Sequence, residues 1–343
     1  MIADLPARFD GVEHLEDFLS IPHEALRREL AGTPGDILIL GVGGKMGPTM
    51  AMLARRAAPG RRVVGVARFS EKGLRERLQR AGVETIACDL MDRAAMEALP
   101  RAPNVVCMIA YKFGATGNEP MAWAVNVLAY AQAAETFRRS RFVAFSTGCV
   151  YPFAATGGGG TPEETPLNPP SGDYAWSCVG RERAVQYLSE KHKTPGRLVR
   201  LNYAVDMRYG VLHDVACKVR DGAEIDLSMG HVNVIWQGDA NAIALRCLAH
   251  ATTPASPINV SGPETVAVRW LAGEFGRLMG KKPLLAGKEA ETAWLTNTQR
   301  MRREFGSPAV PLQRMIEWTA DWVTRAMPSH GKPTHFEVRD GRY

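Results

Sequence analysis

The feature that most constrains the fold is a glycine-rich turn between a short apolar run and a segment with helical spacing. The apolar run covers residues 37–40, and Gly41, Gly44 and Gly47 follow it in a GxxGxxG spacing. Glycine permits a sharp turn and a close approach to the backbone, while the helix start supplies N–H groups and a partial positive charge. This combination predicts a dinucleotide pyrophosphate site, with a purely structural turn as the alternative. The predicted cofactor-binding residues here are Gly41, Gly44, Lys45, Met46 and Gly47.

Short apolar runs alternate with helical segments from residue 36 to about residue 205. Buried runs that alternate with helices predict a parallel sheet covered on both faces. The predicted fold class is therefore α/β, a Rossmann-like doubly wound parallel sheet with a smaller C-terminal substrate-capping lobe. We expect a helical arm over residues 1–34, the dinucleotide-binding domain over 35–205, the lobe over 206–327 with segments returning to the main domain, and a polar tail over 328–343.

Charge and cysteine placement narrow the class of protein. The 343 residues carry a net charge of +6, but the basic residues are dispersed without interleaved aromatics, which argues against nucleic-acid binding. No apolar run approaches the roughly 20 residues that span a bilayer, and the first 36 residues lack a signal-peptide core. The six cysteines are scattered, without zinc-site spacing, which favours a reducing compartment and no metal. We therefore expect a soluble, cytoplasmic protein that binds a small molecule, and neither nucleic acid nor a membrane.

The ends of the second and third predicted strands bear on the choice of cofactor. A carboxylate at the end of the second strand holds the adenosine ribose of NAD, but this chain has Arg68 and Ser70 there. These side chains, helped by Lys45, suit a 2′-phosphate, so the prediction is NADP, with NAD as the alternative. At the end of the third strand, Asp89 is positioned to accept from the adenine amino group or to cap a helix, and Leu90 follows it.

Several further motifs occur in a fixed order along the chain, over roughly residues 36–326. They are Asp89-Leu90, Ile109-Ala110, Val125-Asn126-Val127, Ser146-Thr147-Gly148-Cys149-Val150-Tyr151, Tyr174-Ala175-Trp176-Ser177 with Glu182, Leu198-Val199-Arg200-Leu201-Asn202, Trp236-Gln237-Gly238-Asp239 and Val260-Ser261-Gly262. With the glycine turn, this order resembles the extended short-chain dehydrogenase/reductases, also called the NAD-dependent epimerase/dehydratase family. The resemblance implies oxidation or reduction of a carbon that bears oxygen. It also implies a homodimer formed through helices near residues 121–137 and 174–192.

The resemblance assigns site residues by position. Tyr174 would exchange a proton with the substrate hydroxyl, and Thr147 would hydrogen-bond the same oxygen. The lysine expected four residues after the tyrosine is replaced by Cys178, so the charge that lowers the phenol pKa is missing from that position. Lys112, after the fourth strand, is the candidate replacement, with an exposed loop lysine as the alternative. The cofactor residues implied by the resemblance are Ile109, Ala110, Tyr111, Asn126, Tyr174, Asn202 and Tyr203.

The expected substrate is carbohydrate-like. Gly148 and Cys149 stand where sugar-nucleotide dehydratases of the family carry acids, which argues against water elimination. The arginine that grips a nucleotide diphosphate is also absent, although Arg208 or His213 could replace it, so a smaller sugar, sugar acid or polyol is favoured. The substrate-pocket candidates are Thr147, Gly148, Cys149, Asn202, Tyr203, His213 and Trp236, with core packing as the alternative for the last four.

Two functions remain open from the sequence. The first is an NAD(P)-dependent oxidoreductase or epimerase that transfers hydride at a hydroxyl or keto carbon of a sugar, sugar acid or sugar nucleotide. The second is a dinucleotide-binding protein without turnover, which the missing lysine at Cys178 motivates. A slow enzyme, or one active at high pH, lies between the two.

Overall fold

The computed structural model describes residues 5–170 and 172–341. Within them the strands are β1 (Ile37–Leu40), β2 (Val63–Ala67), β3 (Glu84–Ala87), β4 (Asn104–Cys107), β5 (Arg141–Thr147), β6 (Ala154–Ala155), β7 (Gly196–Leu201), β8 (Ala204–Val205), β9 (Glu224–Asp226), β10 (His231–Val232), β11 (Ile235–Trp236), β12 (Ser256–Val260), β13 (Val266–Ala267), β14 (Leu284–Ala286) and β15 (Thr292–Ala293). The α-helices are α1 (Val12–Leu19), α2 (Glu24–Ala31), α3 (Gly47–Ala57), α4 (Leu74–Arg80), α5 (Arg93–Glu97), α6 (Glu119–Trp123), α7 (Ala129–Thr136), α8 (Asp173–His192), α9 (Val211–Asp221), α10 (Gln237–Arg246), α11 (Val268–Met279), α12 (Gln299–Phe305) and α13 (Leu312–Thr324).

The main domain is built on a parallel sheet that the described residues form from seven strands, in the order β12-β7-β5-β4-β1-β2-β3. The chain runs outward from β1 through β2 to β3, and then returns to place β4 on the other side of β1. This reversal is the topological switch point of a doubly wound sheet, where a crevice opens beyond the carboxyl ends of the strands. The predicted Rossmann-like fold is confirmed.

Burial explains why β1 is an unbroken apolar run in the sequence, and why β4 is apolar after its first residue, Asn104. Both are buried along their whole length, because helices cover both faces of the sheet. One core cluster combines alternate side chains of β1 with α2, α3 and α10, and another combines the remaining side chains with α7 and α8. The sheet therefore holds the ends of β1, β4 and β5 rigidly at a single edge.

The smaller lobe has its own core, and the N-terminal arm belongs to it. Phe9 and Phe18 pack against Trp236 and Trp318, with ring centroids 4.8 to 6.2 Å apart. The arm also reaches the main domain, because Leu26 and Leu30 of α2 pack with α3 and α10. The described part of the arm therefore joins both parts of its own chain.

The helix predicted over residues 121–137 is interrupted. A π-helical turn over residues 124–128 separates α6 from α7, and the Asn126 side chain is fully buried there. α8 packs closely on this turn, because a Cβ at Gly180 would lie 3.1 Å from the Val127 side chain. The π turn thus brings Asn126 to the carboxyl edge of the sheet.

The polar tail has no regular secondary structure in its described part. It is nevertheless fixed: Phe336 is 2% exposed and Thr334 is 3% exposed. We call residues 328–341 the strap, because they run between the smaller lobe and the main domain. No helix of the described residues is both long and apolar enough to cross a membrane.

Candidate active site

The glycine turn forms one side of the crevice at the switch point. Gly41 has φ of +84°, and a Cβ there would lie 3.0 Å from the backbone of Met108 and Ile109, just after β4. A Cβ at Gly47 would lie 2.3 Å from the carbonyl oxygen of Val42, so the start of α3 packs against the turn without space for a side chain. The turn and the helix start therefore form a cradle of backbone, which fits a dinucleotide pyrophosphate.

Lys45 extends from the glycine turn across the crevice. Its Nζ lies 3.6 Å from the ring centroid of Tyr209 and 4.2 Å from that of Phe113. Burial, and then the positive charges of Lys112 and Lys332, lower the pKa of Lys45 to about 7. An anion in the crevice would relieve this repulsion and restore the charge on the ammonium group.

The ends of β2 and β3 are open to solvent. Arg68 and Ser70 are both exposed beyond β2, where a bound adenosine ribose would lie. Asp89 is exposed after β3 and accepts a hydrogen bond from the Met91 N–H at 3.0 Å, while Leu90 is buried. The helix cap that was the alternative for Asp89 is provided by Asp92, which accepts from Ala95 N.

The predicted reacting pair is formed by the end of β5 and the first turn of α8. The Tyr174 phenol is hydrogen-bonded to the Thr147 side chain, and the Thr147 hydroxyl also accepts from Cys149 N at 3.2 Å. Burial, with some contribution from Cys178 and Cys149, raises the pKa of Tyr174 well above its ordinary value. Proton transfer at neutral pH therefore requires nearby positive charge.

Cys178 faces Tyr174 from one turn further along α8. Its thiol is fully buried and hydrogen-bonds to the Tyr174 side chain, and burial raises the pKa of the thiol. The thiol is therefore neutral at neutral pH. A lysine at this position would carry its charge at the same place, but here two other residues supply positive charge near the phenol.

Lys112 is one source of that charge. It follows β4, and its Nζ lies 5.8 Å from the ring centroid of Tyr174. The ammonium group donates to the carbonyl oxygen of Thr334 in the strap at 3.5 Å. Burial lowers the pKa of Lys112, while Cys149, Cys178 and Asp214 raise it. The structure thus brings Lys112, Thr147, Cys149, Tyr174 and Cys178 together.

Arg181 is a second source, and the sequence reasoning missed it. It is 2% exposed, and its guanidinium donates to the carbonyl oxygens of Asn126 and Phe145 at 3.1 and 3.0 Å. No carboxylate among the described residues forms an ion pair with it. Its position three residues after Cys178, on the same helix face, is the signal that could have identified it.

Asn126 connects these groups to the end of β4. Its amide oxygen accepts from Tyr111 N, and its amide nitrogen donates to Tyr111 O and to the Ser177 hydroxyl, each at 3.0 Å. The Ser177 hydroxyl in turn donates to Tyr174 O at 2.8 Å. Ile109 is buried and Ala110 is exposed between β4 and this network. The network fixes the loop after β4 relative to the first turn of α8.

The substrate-pocket candidates separate into two groups. Asn202 lies beside Gly148, where a Cβ would be 3.0 Å from its Oδ1, and its amide donates to Asn233 Oδ1 at 2.8 Å. Burial raises the pKa of Tyr203, and Cys149 adds to that rise. Asn202 and Tyr203 therefore form the group of candidates that lies beside the segment from Thr147 to Cys149.

Trp236 and His213 do not line an open pocket. The interpretation of Trp236 as a pocket residue is wrong: its ring is buried in the lobe core against Phe9 and Trp318. His213 is 6% exposed, and its Nε2 lies 2.9 Å from the Ser329 hydroxyl of the strap. The described residues also contain no group of three His, Cys, Asp or Glu side chains placed to hold a metal ion.

The fold and this arrangement define a Rossmann-like protein of the extended short-chain dehydrogenase/reductase type. The chain belongs to the NAD dependent epimerase/dehydratase family, whose model matches residues 37–224. No curated protein matches the sequence.

Solved structures share the fold at low sequence identity. The UDP-glucuronic acid 4-epimerase from Bacillus cereus, in complex with NAD, has a TM-score of 0.71 and 16% identity, covering 85% of this chain and 99% of its own. The UDP-glucose 4-epimerase of Thermotoga maritima, with UDP-glucose, has a TM-score of 0.69 and 17% identity over the same shares. A short-chain dehydrogenase/reductase superfamily protein from Agrobacterium tumefaciens with bound NAD has a TM-score of 0.69 and 20% identity, covering 84% of this chain and 97% of its own.

Proposed function

We propose that the protein is an NAD(P)-dependent oxidoreductase or epimerase that transfers hydride at a hydroxyl or keto carbon of a sugar, sugar acid or sugar nucleotide. The observation that carries the proposal is the hydrogen-bonded pair of Thr147 and Tyr174 at the carboxyl edge of the sheet. The family membership and the sugar-nucleotide epimerases among the similar folds support it.

The crevice fits a nicotinamide dinucleotide. The backbone of Gly41, Gly44 and Gly47 would hold the pyrophosphate, and Lys45 would face its negative charge. When bound, the nicotinamide ring exchanges hydride with the substrate carbon. Arg68 and Ser70, exposed where a 2′-phosphate would lie, favour NADP, and NAD is the alternative because the similar structures hold NAD.

Tyr174 would move the proton in this reaction. Its phenol exchanges a proton with the substrate hydroxyl, and the Thr147 hydroxyl holds the same oxygen. The ammonium group of Lys112, 5.8 Å from the Tyr174 ring, stabilises the phenolate that the missing lysine would otherwise stabilise. Cys178, as a neutral thiol, serves as a hydrogen-bond partner of the phenol.

Substitution of Tyr174 by phenylalanine tests this proposal. Loss of the phenol should reduce turnover by about 10²–10⁴-fold, the contribution typical of general acid–base catalysis, and leave dinucleotide affinity nearly unchanged. Nicotinamide absorbance with a panel of sugars and sugar acids measures turnover, and interconversion of epimers is followed by chromatography. Tyr187→Phe is the matched control, because Tyr187 is 63% exposed on the same helix. Full turnover in Tyr174→Phe would refute the proposal.

A binding protein without turnover is the second candidate. The buried neutral thiol of Cys178 and the raised pKa of Tyr174 favour it. A substrate-dependent change in nicotinamide absorbance in the wild-type protein would exclude it. Fluorescence titration of the wild-type protein and of Arg68→Ala with NADPH and NADH tests the cofactor preference, whether the protein is an enzyme or a binding protein.

We also propose that the protein is a cytoplasmic homodimer with a carbohydrate-like ligand. The dimer surface would be formed by α6, the π turn and α8, which present Met121, Trp123, Leu128 and Trp176, each at least 39% exposed. The scattered cysteines support a reducing compartment. Sedimentation equilibrium of the wild-type protein and of Leu128→Glu tests the dimer: a monomeric wild-type protein would refute it.

A further inference from the structure

The strap closes the space between the two parts of the molecule beside Tyr174. The carbonyl oxygen of Thr334 accepts from Lys112 of the main domain at 3.5 Å. The N–H and hydroxyl of the same residue donate to the Asp214 carboxylate on α9 of the lobe, the N–H at 2.7 Å. A single strap residue is therefore bonded to both walls, next to the ammonium group that faces the Tyr174 ring.

Other contacts hold the strap on both sides of this point. The Arg339 guanidinium donates to the Thr292 carbonyl oxygen at 2.7 Å and lies 4.1 Å from the ring centroid of Phe153. At the main domain the strap reaches the start of α8, where a Cβ at Gly172 would lie 2.5 Å from the carbonyl oxygen of Gly341. The strap thus covers the opening along its length.

The arm and the strap also bond to Arg208 and His213, the two lobe side chains that were candidates to bind a diphosphate. The Arg208 guanidinium is buried and paired with Asp206 at 2.8 Å and with Glu16 of the arm at 2.7 Å. The His213 ring lies 2.9 Å from the Ser329 hydroxyl of the strap. Both groups are therefore already bonded within the protein, one by the arm and one by the strap.

We propose that the strap and the arm determine the substrate class: the site takes a sugar, sugar acid or polyol that carries no nucleoside diphosphate. This inference rests on the proposed function and narrows it. A nucleoside diphosphate attached to the reacting sugar would need the opening that the strap fills and partners such as Arg208 and His213. Ser329 and Thr334 are the specificity-determining residues of the strap, and Glu16 is that of the arm.

Calorimetric titration of UDP and UDP-glucose into the protein saturated with its dinucleotide tests the inference. The wild-type protein should show no saturable binding of either probe. A chain that ends at Met327, and the full-length variant Ser329→Ala with Asp214→Ala, should show saturable binding of UDP-glucose, with a Kd at least about tenfold below the highest probe concentration used, because the opening is then closed for a smaller fraction of the time. The full-length variant keeps the test valid if the shortened chain does not fold. Pro333→Ala is the control, because Pro333 is an exposed strap residue.

Each outcome decides between the alternatives. Saturable UDP-glucose binding by the wild-type protein would overturn the inference, and so would the absence of saturable binding in folded strap variants. These readouts need no turnover, so they are separate from the hydride-transfer proposal. If the dinucleotide binds and UDP is excluded but no carbohydrate is turned over, the proposed reaction fails while the role of the strap stands.

Discussion

Dinucleotide binding should weaken as pH rises above neutrality, and substitution of Lys45 by arginine should remove that dependence. Lys45 Nζ lies in the crevice over the Tyr209 ring, with Lys112 and Lys332 adding positive charge and Asp214 and Asp206 opposing it. Burial and then these lysines lower the pKa of Lys45 to about 7. A bound pyrophosphate favours the charged form, so binding above that pKa requires uptake of a proton.

The size of this pH effect follows from the thermodynamic linkage between protonation of Lys45 and dinucleotide binding. Below pH 7 the ammonium group is already charged and affinity is constant, because the cited pKa is about 7. Above it, each pH unit weakens binding about tenfold until the pKa of the complex is reached. The Kd at about pH 9 should therefore be up to about 100-fold higher than the Kd at about pH 6.

Fluorescence titration with NADH over this range is the assay, because its pyrophosphate does not titrate there. Lys45→Arg keeps its charge at every pH, so its Kd should be constant and tight, while Lys45→Met should bind weakly at every pH. A wild-type Kd that does not change with pH would refute the reasoning. A pH dependence that persists in Lys45→Arg would assign the titration to another group, such as Lys112.

Three further predictions concern the groups around the phenol. Lys112→Met should raise the pKa of Tyr174 in the pH–rate profile, because the Lys112 ammonium group lies 5.8 Å from the Tyr174 ring centroid, and Lys112→Arg should restore it. Cys178→Lys should lower the thermal unfolding midpoint instead of increasing the rate, because the fully buried site already adjoins the Lys112 and Arg181 cations. Glu182→Gln should cost about 3–5 kcal/mol of unfolding free energy in urea titration, because it breaks a fully buried ion pair with Arg200.

The sheet domain could be predicted from the sequence because the patterns that indicate it each lie within a short segment of the chain. A buried parallel strand reads as an apolar run, and the turn at Gly41 needs positive φ and close backbone contact, which leaves a recognisable glycine spacing. Thr147 and Tyr174 were assigned by the resemblance to the family, because no local pattern gives either residue a role in proton transfer. Local pattern predicted the sheet and the glycine turn, and the resemblance placed the reacting pair at the carboxyl edge of that sheet.

The features that sequence reasoning missed depend on distant contacts. The strap has no periodicity, and its order comes from single bonds such as that of Thr334 to Asp214, 120 residues away. Trp236 looked like a pocket residue because nothing local shows that Phe9 of the arm covers it. The sequence shows that Arg181 shares a helix face with Cys178, but the π turn that brings Asn126 to it leaves no pattern in the sequence.

Cys178 replaces the family's lysine, and in this chain other residues supply the positive charge near the Tyr174 phenol. Proton transfer by a phenol requires a cation within a few ångströms, and the Coulomb interaction does not depend on which element carries it. Lys112 enters from the loop after β4, and Arg181 lies one turn beyond the cysteine on α8. A lysine at position 178 would add a third cation to this buried cluster. The neutral thiol is therefore the residue that the two neighbouring charges allow, and the combination of Cys178 with these cations describes the site better than the missing lysine alone.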